Sequence, residues 1–362
     1  MIPSSGAAGL LARLRRHPFL VRLLHWEYWP ASLANVPVYL YWLYFSLRSR
    51  HLFFFTAANP AIETGGMFGE SKIRILDQIP DAYKPLTVFV PAGSSPEQAL
   101  RLMKEAGIAF PAIAKPNIGE RGLAVEKLDS ESALRQYLRR FQADLILQAY
   151  VDDPEEYSVL YWRLPGSGRG AISSLCRKIY LGLAGDGRST LRELILAYPR
   201  ARFQLAALER RMPERMQEVP AAGEQVTLLP IGNHARGAMF LDARPEIDEA
   251  LLRTFDAVSS QLQGIYCCRF DLKCPSLADL KAGRNIKILE INGVAGEPAH
   301  IYDPAYGGLR AYRDLYAHWK TICTVSTALR RTGVRPLPAR EAFRQYRQYR
   351  AHVRRVQQAL SS

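Results

Sequence analysis

The sequence predicts an α+β protein: two α+β modules in series, preceded by a small N-terminal domain and followed by a basic C-terminal helix. Three observations carry this expectation. From Leu86 onward, apolar runs of strand length alternate with helix-length segments. Two later strands, 265–272 and 286–292, are apolar until they turn polar at their ends. The last segment, from 339, sets Phe343, Tyr346, Tyr349, Val353, Val356 and Leu360 at spacings of 3, 3, 4, 3 and 4, one apolar stripe on an arginine-rich helix.

In chain order, residues 51–60 read as a short buried strand ending at Asn59-Pro60, followed by a glycine turn at Gly65-Gly66 and a helix through Leu76. The first module then takes a strand at 86–90, a helix at 96–106, a strand at 110–115, a glycine loop at 117–122, a strand at 123–127, a helix at 130–140 and a strand at 144–148. The second has strands at 157–162 and 171–180, a Gly185-Asp186-Gly187 turn, and a helix capped by Ser189. Strands at 225–231 and 236–241, a helix at 246–262 and the two polar-ended strands complete it. The boundaries are therefore 1–76, 77–156, 157–330 and 331–362.

With 362 residues, 48% of them hydrophobic and 23% charged, the chain can bury a large core as an ordinary globular protein. Five cysteines show neither metal-ligand spacing nor an even disulfide framework, which fits reduced thiols in a cytoplasmic protein. The net charge of +14 sits at the ends: six arginines against Glu27 in residues 1–50, eight against Glu341 in 331–362, and only +2 between. Nucleic acid is not an expected partner of so neutral a centre, whereas the ends leave peripheral contact with an anionic membrane open, and the oligomeric state is not encoded in any motif. Tyr28–Leu47 is uncharged and long enough to span a bilayer, but Pro30, Asn35 and Pro37 interrupt it and its tyrosines favour an interface.

The chemistry-bearing residues fall at strand ends. The strand Phe110 to Ala114 runs into Lys115 and a loop containing Gly119 and Gly122, which can bring an ammonium and backbone N–H groups to a phosphate chain. Alternate residues of a strand share a face, so Arg269 pairs with Asp271 and Glu290 with Asn292. If those strands are neighbours, Asp271, Glu290 and Asn292 converge as three oxygen ligands suited to Mg2+. A structural Arg–Asp pair beside an unrelated glutamate is the plainer alternative.

These motifs, together with Lys72 in Glu-Ser-Lys, the hinge Leu147-Gln148-Ala149-Tyr150-Val151 and Glu156 in Pro-Glu-Glu-Tyr-Ser-Val, occur in the order found in ATP-grasp ligases. The chain resembles that superfamily over residues 65–310, in particular D-alanine–D-alanine ligase and the ATP-grasp portion of cyanophycin synthetase. The resemblance implies an ATP-grasp fold, two α+β subdomains clasping ATP. It also implies an ADP-forming reaction that joins a small-molecule acid to an amine through an acyl phosphate, with Mg2+, or Mn2+ in its place. Lys72, Lys115 and Lys178 would contact phosphates, and the loop with Gly119 and Gly122 would close over them. Gln148, Ala149, Tyr150 and Val151 would meet adenine and Glu156 the ribose; the family often has an acidic residue where Gln148 stands. Asp271, Glu290 and Asn292 would hold the metal and Arg269 would act in catalysis, with Asn233, His234, Arg236 and His300 near the acceptor. An ATP-grasp phosphotransferase and a non-catalytic anion-binding protein at the membrane face are the rival readings.

Overall fold

The computed structural model describes residues 31–119, 122–229 and 237–361. The chain enters with helix α1 (Val36–Ser49) and a short α2 (Lys72–Leu76). It then lays down β1 (Thr87–Val90), α3 (Pro96–Glu105), β2 (Ala112–Pro116), β3 (Glu126–Leu128), α4 (Glu131–Arg140) and β4 (Leu145–Ala149). Strands β5 (Glu155–Arg163) and β6 (Gly170–Ile179) follow, then β7 (Leu181–Ala184), α5 (Leu191–Ala197), β8 (Gln225–Leu229) and β9 (Met239–Asp242). Helix α6 (Glu249–Ser260), β10 (Cys267–Cys274), β11 (Lys287–Asn292), α7 (Gly308–Arg331) and α8 (Ala339–Ser361) complete it.

Two compact units emerge, each described by itself. Among the described residues the smaller holds 31–40, 178–229, 237–241 and 301–312, and the larger holds the rest. The smaller contains the two-stranded antiparallel β7–β8 sheet over a core of Leu181, Leu191, Ile195, Leu208, Val226 and Leu228. The Thr190 side chain accepts from the Glu193 N–H, and Glu193 reaches back to Thr190. The expected cap, Ser189, instead donates its hydroxyl to Asp186, because the Asp186 turn holds it outside the helix.

In the larger unit one sheet runs β1-β4-β2-β3, every neighbour antiparallel. Its apolar face buries Val90, Ala112, Ala114, Leu145 and Leu147 against Met103 of α3 and Leu134 and Leu138 of α4. Each fully buried large side chain contributes ~1.5–3 kcal/mol. Ser95 and Ser130 cap α3 and α4, accepting from Gln98 and Ala133. In the other sheet β10 lies between β11 and β5, antiparallel to both, with β6 beyond β5.

The apolar run 51–60 is not a strand. Phe54–Ala57 form a 3-10 turn, with Phe54, Phe55 and Ala57 buried. It closes on Asn59, which is fully buried: its Oδ1 accepts from the Tyr266 and Cys267 N–H groups at 2.8 and 2.9 Å, and its Nδ2 donates to the carbonyls of Gly65 and Cys267 at 3.0 and 2.8 Å. The pre-strand segment is thereby fixed to the start of β10. A second clamp follows at the Gly65-Gly66 turn, whose carbonyls accept from Val294 and Ala295. A Cβ on Gly66 would stand 2.6 Å from the Gly293 Cα, so both positions require glycine.

The C-terminal helix forms as the stripe predicts, and part of the stripe is packed, while Phe343 and Tyr346 stay exposed. Val356 is buried in the first sheet's core, and Tyr346 and Tyr349 meet Phe68 at centroid distances of 5.4 and 6.0 Å. His352 Nε2 lies 3.3 Å from the Ile118 carbonyl of the glycine loop. No described helix is long and apolar enough to cross a membrane.

Candidate active site

The polar ends of β10 and β11 meet. Their antiparallel register sets Asp271 opposite Glu290 and Arg269 opposite Asn292, with an irregularity between Asp271 and Leu272. The opposite edge of β10 sets Asp271 across from Ser158 and Lys273 across from Glu156 on β5. Asp271 is almost fully buried. Its Oδ1 accepts from the Ser158 hydroxyl, and its Oδ2 accepts from Arg269 Nη2 at 3.0 Å and Asn292 Nδ2 at 2.8 Å. Arg269 also donates to the Glu297 carbonyl at 3.2 Å, which ties the loop after β11 to the site.

Two lysines reach Glu290 from outside its sheet. Lys72 Nζ lies 2.8 Å from Glu290 Oε1 and donates to the Gly119 carbonyl at 2.7 Å. Its aim follows from Asn117, whose Oδ1 accepts from the Ile73 N–H and the Ser71 hydroxyl while its backbone carbonyl accepts from the Lys72 N–H. Lys115, at the end of β2, donates to the Leu289 carbonyl at 2.9 Å and to Gln148 Oε1 at 3.1 Å. Gln148 in turn donates to Thr87 Oγ1 at 3.0 Å. A single ammonium thus joins β2, β4 and β11.

Burial dominates the electrostatics. It pulls the Lys115 ammonium down to about 8, against the pull of Glu290 and with the help of repulsion from Lys72. Burial pushes the Glu290 carboxyl up, yet Lys72 and then Lys115 outweigh it, so the group sits below its ordinary range and is a carboxylate at neutral pH. Lys273 is lowered by burial, and its Nζ donates to the Val151 carbonyl at 2.8 Å.

The hinge after β4 is held on several sides. Ala149 N–H donates to the Leu86 carbonyl and Tyr150 N–H to that of Pro111. The Tyr150 ring carries Lys127 at 4.4 Å and Lys273 at 5.4 Å from its centroid. Glu156 is buried at the start of β5.

The sequence-derived residues Lys72, Lys115, Gly119, Gln148, Asp271, Glu290, Asn292 and Arg269 are therefore brought together by hydrogen bonds, an ion pair and the β10–β11 register. The hinge and Glu156 join them through Gln148 on β4 and the β5–β10 register. Gly122 follows in the loop in the left-handed region, with φ of +70°. Lys178 lies in the smaller unit, its Nζ 5.7 Å from the Phe240 ring centroid. His300 is 1% exposed, its ring nitrogens at 2.8 Å from Ser174 Oγ and 2.9 Å from Asp314 Oδ2. Burial pulls that imidazole below its ordinary value, with Asp314 opposing. Asn233, His234 and Arg236 lie outside the described residues.

Asn59, Thr87, Asn117, Ser158 and Lys273 position this site without having been singled out from sequence. Ser158 and Lys273 carried a signal, since they alternate with Glu156 and Asp271 on their strand faces. Among the described residues no three of His, Cys, Asp and Glu cluster as a metal site. The candidate set is two carboxylates and a carboxamide. Asn292 turns its amide nitrogen to Asp271, so its carbonyl oxygen is the remaining donor, and an all-oxygen set of this kind suits Mg2+.

No protein-family model matches the chain, and no curated protein does. Solved structures to which it is similar include a bifunctional glutathione synthetase from Pasteurella multocida, at 15% identity and a TM-score of 0.39, covering 73% of this chain and 37% of that one. D-alanine–D-alanine ligase from Bacillus anthracis gives 11% identity and a TM-score of 0.44, with 75% and 71% covered. VanG D-Ala:D-Ser ligase from Enterococcus faecalis gives 9% and 0.42, with 73% and 63% covered. The chain spans well under half the length of the glutathione synthetase. At these identities and scores no activity passes from those proteins to this one, and the functional reading rests on the residues.

Proposed function

We propose that this protein is an ADP-forming ligase of ATP-grasp fold that joins a small-molecule carboxylate to an amine, with residues 77–156 and 157–330 as its two nucleotide-clasping subdomains. The observation that carries this reading is the pairing of Asp271 with Glu290 across β10 and β11, with Lys72 and Lys115 converging on it from the glycine-loop side. Charge of both signs, buried at one strand end, is what a phosphate chain and its cation require.

In the first step a substrate carboxylate oxygen forms a bond to the γ-phosphorus and ADP leaves. In the second, the amine adds to the acyl carbon, inorganic phosphate leaves and the amine loses a proton. Lys72 and Lys115 would hold the phosphate oxygens, and the 117–122 loop would cover them. Asp271, Glu290 and Asn292 would hold Mg2+, which when bound offsets charge on the transferring phosphoryl group. Arg269, fixed by Asp271 and the Glu297 carbonyl, would face the oxyanion formed as the amine adds. Gln148, Ala149, Tyr150, Val151 and Glu156 would bind the nucleoside, and Lys178 would add a phosphate contact. Asn233, His234, Arg236 and His300 remain the acceptor-side candidates. A cytoplasmic enzyme is the matching setting, and its five buried cysteines form no disulfide with one another.

Product analysis over pooled acids and amines tests the proposal. Release of ADP and inorganic phosphate that needs both an acid and an amine supports a ligase. ADP with a stable phosphorylated product, and no need for an amine, would replace it with a phosphotransferase.

A further inference from the structure

Two described stretches of the basic ends, the end of α1 and the start of α8, lie on the larger unit. Arg330 Nη1 donates to the Ser49 carbonyl at 2.8 Å, across 281 residues of chain. The Phe53 and Phe343 rings meet edge to face at 5.4 Å. The first contact sets the end of α7 beside the end of α1, and the second sets the start of α8 beside the turn after α1. These segments carry exposed Arg48, Arg50, Arg331, Arg340 and Arg344 and the half-buried Arg330. His51, between them, sits below its ordinary value through burial and the neighbouring Arg330.

The same region is apolar where water would be expected. One face of α1 packs: Phe45 is buried, and Tyr41 and Phe45 each meet Tyr316 at 5.4 Å. The other face is also apolar, with Leu43 and Leu47 exposed at 45% and 72%. The spacing continues back along the helix through Leu40 and Val36. Phe343 and Tyr346 of α8 are exposed as well. A helix that is apolar all round but packed on one side only leaves a face for another apolar medium.

We infer that this surface binds an anionic lipid bilayer peripherally, with the exposed face of α1 in the acyl boundary and the arginines on headgroup phosphates. No described helix can cross, so the contact is interfacial. Leucines and tyrosines rimmed by arginine match that environment in both polarity and charge. A nucleic acid would give Leu43 and Leu47 no partner, and a second copy would bring like-charged arginines together.

Co-sedimentation of the full chain tests this, using vesicles of phosphatidylcholine alone and of phosphatidylcholine mixed with phosphatidylglycerol. The protein is expected on the mixed vesicles only, and less so at high salt. The Arg48→Glu/Arg50→Glu and Leu43→Asp/Leu47→Asp variants are each expected to lose about tenfold or more in partitioning at an unchanged thermal midpoint. Because the native cysteines are buried, Leu47→Cys accepts an environment-sensitive fluorophore, which should shift to the blue on mixed vesicles. Absence of binding, wild-type binding by both double variants, a label that does not respond, or a dimer that the leucine variant dissociates would each overturn the inference.

Discussion

Positive charge is used in opposite ways at the β10–β11 strand ends and along α8. At the strand ends Lys72 and Lys115 are withdrawn from water beside Glu290, where burial and mutual repulsion cost free energy that the carboxylate offsets only in part. Along α8 the arginines stand in water, and an apolar stripe on the other side does the packing. The contrast teaches that net charge alone misleads in this chain. Its basic ends dominate the composition, whereas the few charges that define the site barely register in it.

The largest expected effect is at the buried end. Asp271→Asn, which keeps the shape but removes the charge held by Arg269, Asn292 and Ser158, should lower ATP turnover on the order of 10²–10³-fold at an unchanged fold by circular dichroism. Near-normal turnover would make Asp271 a structural partner of Arg269. Asn59→Ala should destabilise by about 3 kcal/mol in denaturant titration, because it strands the Tyr266 and Cys267 N–H groups at the root of β10.

Lys115 tests the buried charge by pH. Its ammonium, lowered to about 8, is present below that pH and lost above it, so kcat/KM for ATP should fall roughly tenfold per unit above pH 8. Lys115→Arg should abolish that descending limb. The shift also has a stability sign: between the folded value and the normal lysine range the unfolded chain binds more protons, so this group's contribution to stability rises with pH there. Smallest is the helix: Val356→Ala should cost about 2 kcal/mol in thermal or chemical unfolding without changing turnover, as a structural clasp requires. Loss of turnover with full stability would instead give α8 a part in the glycine loop's function.

Much of this was legible because local pattern and tertiary role agree. The alternation of Arg269 with Asp271 and of Glu290 with Asn292 needed only a strand period, and the α8 stripe only a helical one. The run 51–60 failed because a short apolar segment has no period to separate a strand from a buried turn. Ser189 reads as the cap in sequence, whereas Thr190 holds that place, because adjacent hydroxyls look alike until the Asp186 turn is folded. Asn59 and Asn117 were invisible for a different reason: their partners lie up to 208 and 46 residues away, and nothing local marks an asparagine whose work is to join distant segments.

The central claim, that Glu290 and Asp271 close a cation site against the nucleotide phosphates, is tested most directly by calorimetric titration of ATP with and without Mg2+. In the wild-type chain Mg2+ is expected to tighten ATP binding, and in Glu290→Gln that gain should vanish at an unchanged thermal midpoint. A full Mg2+ gain in Glu290→Gln would contradict the account and leave Glu290 as the ion-pair partner of Lys72 alone.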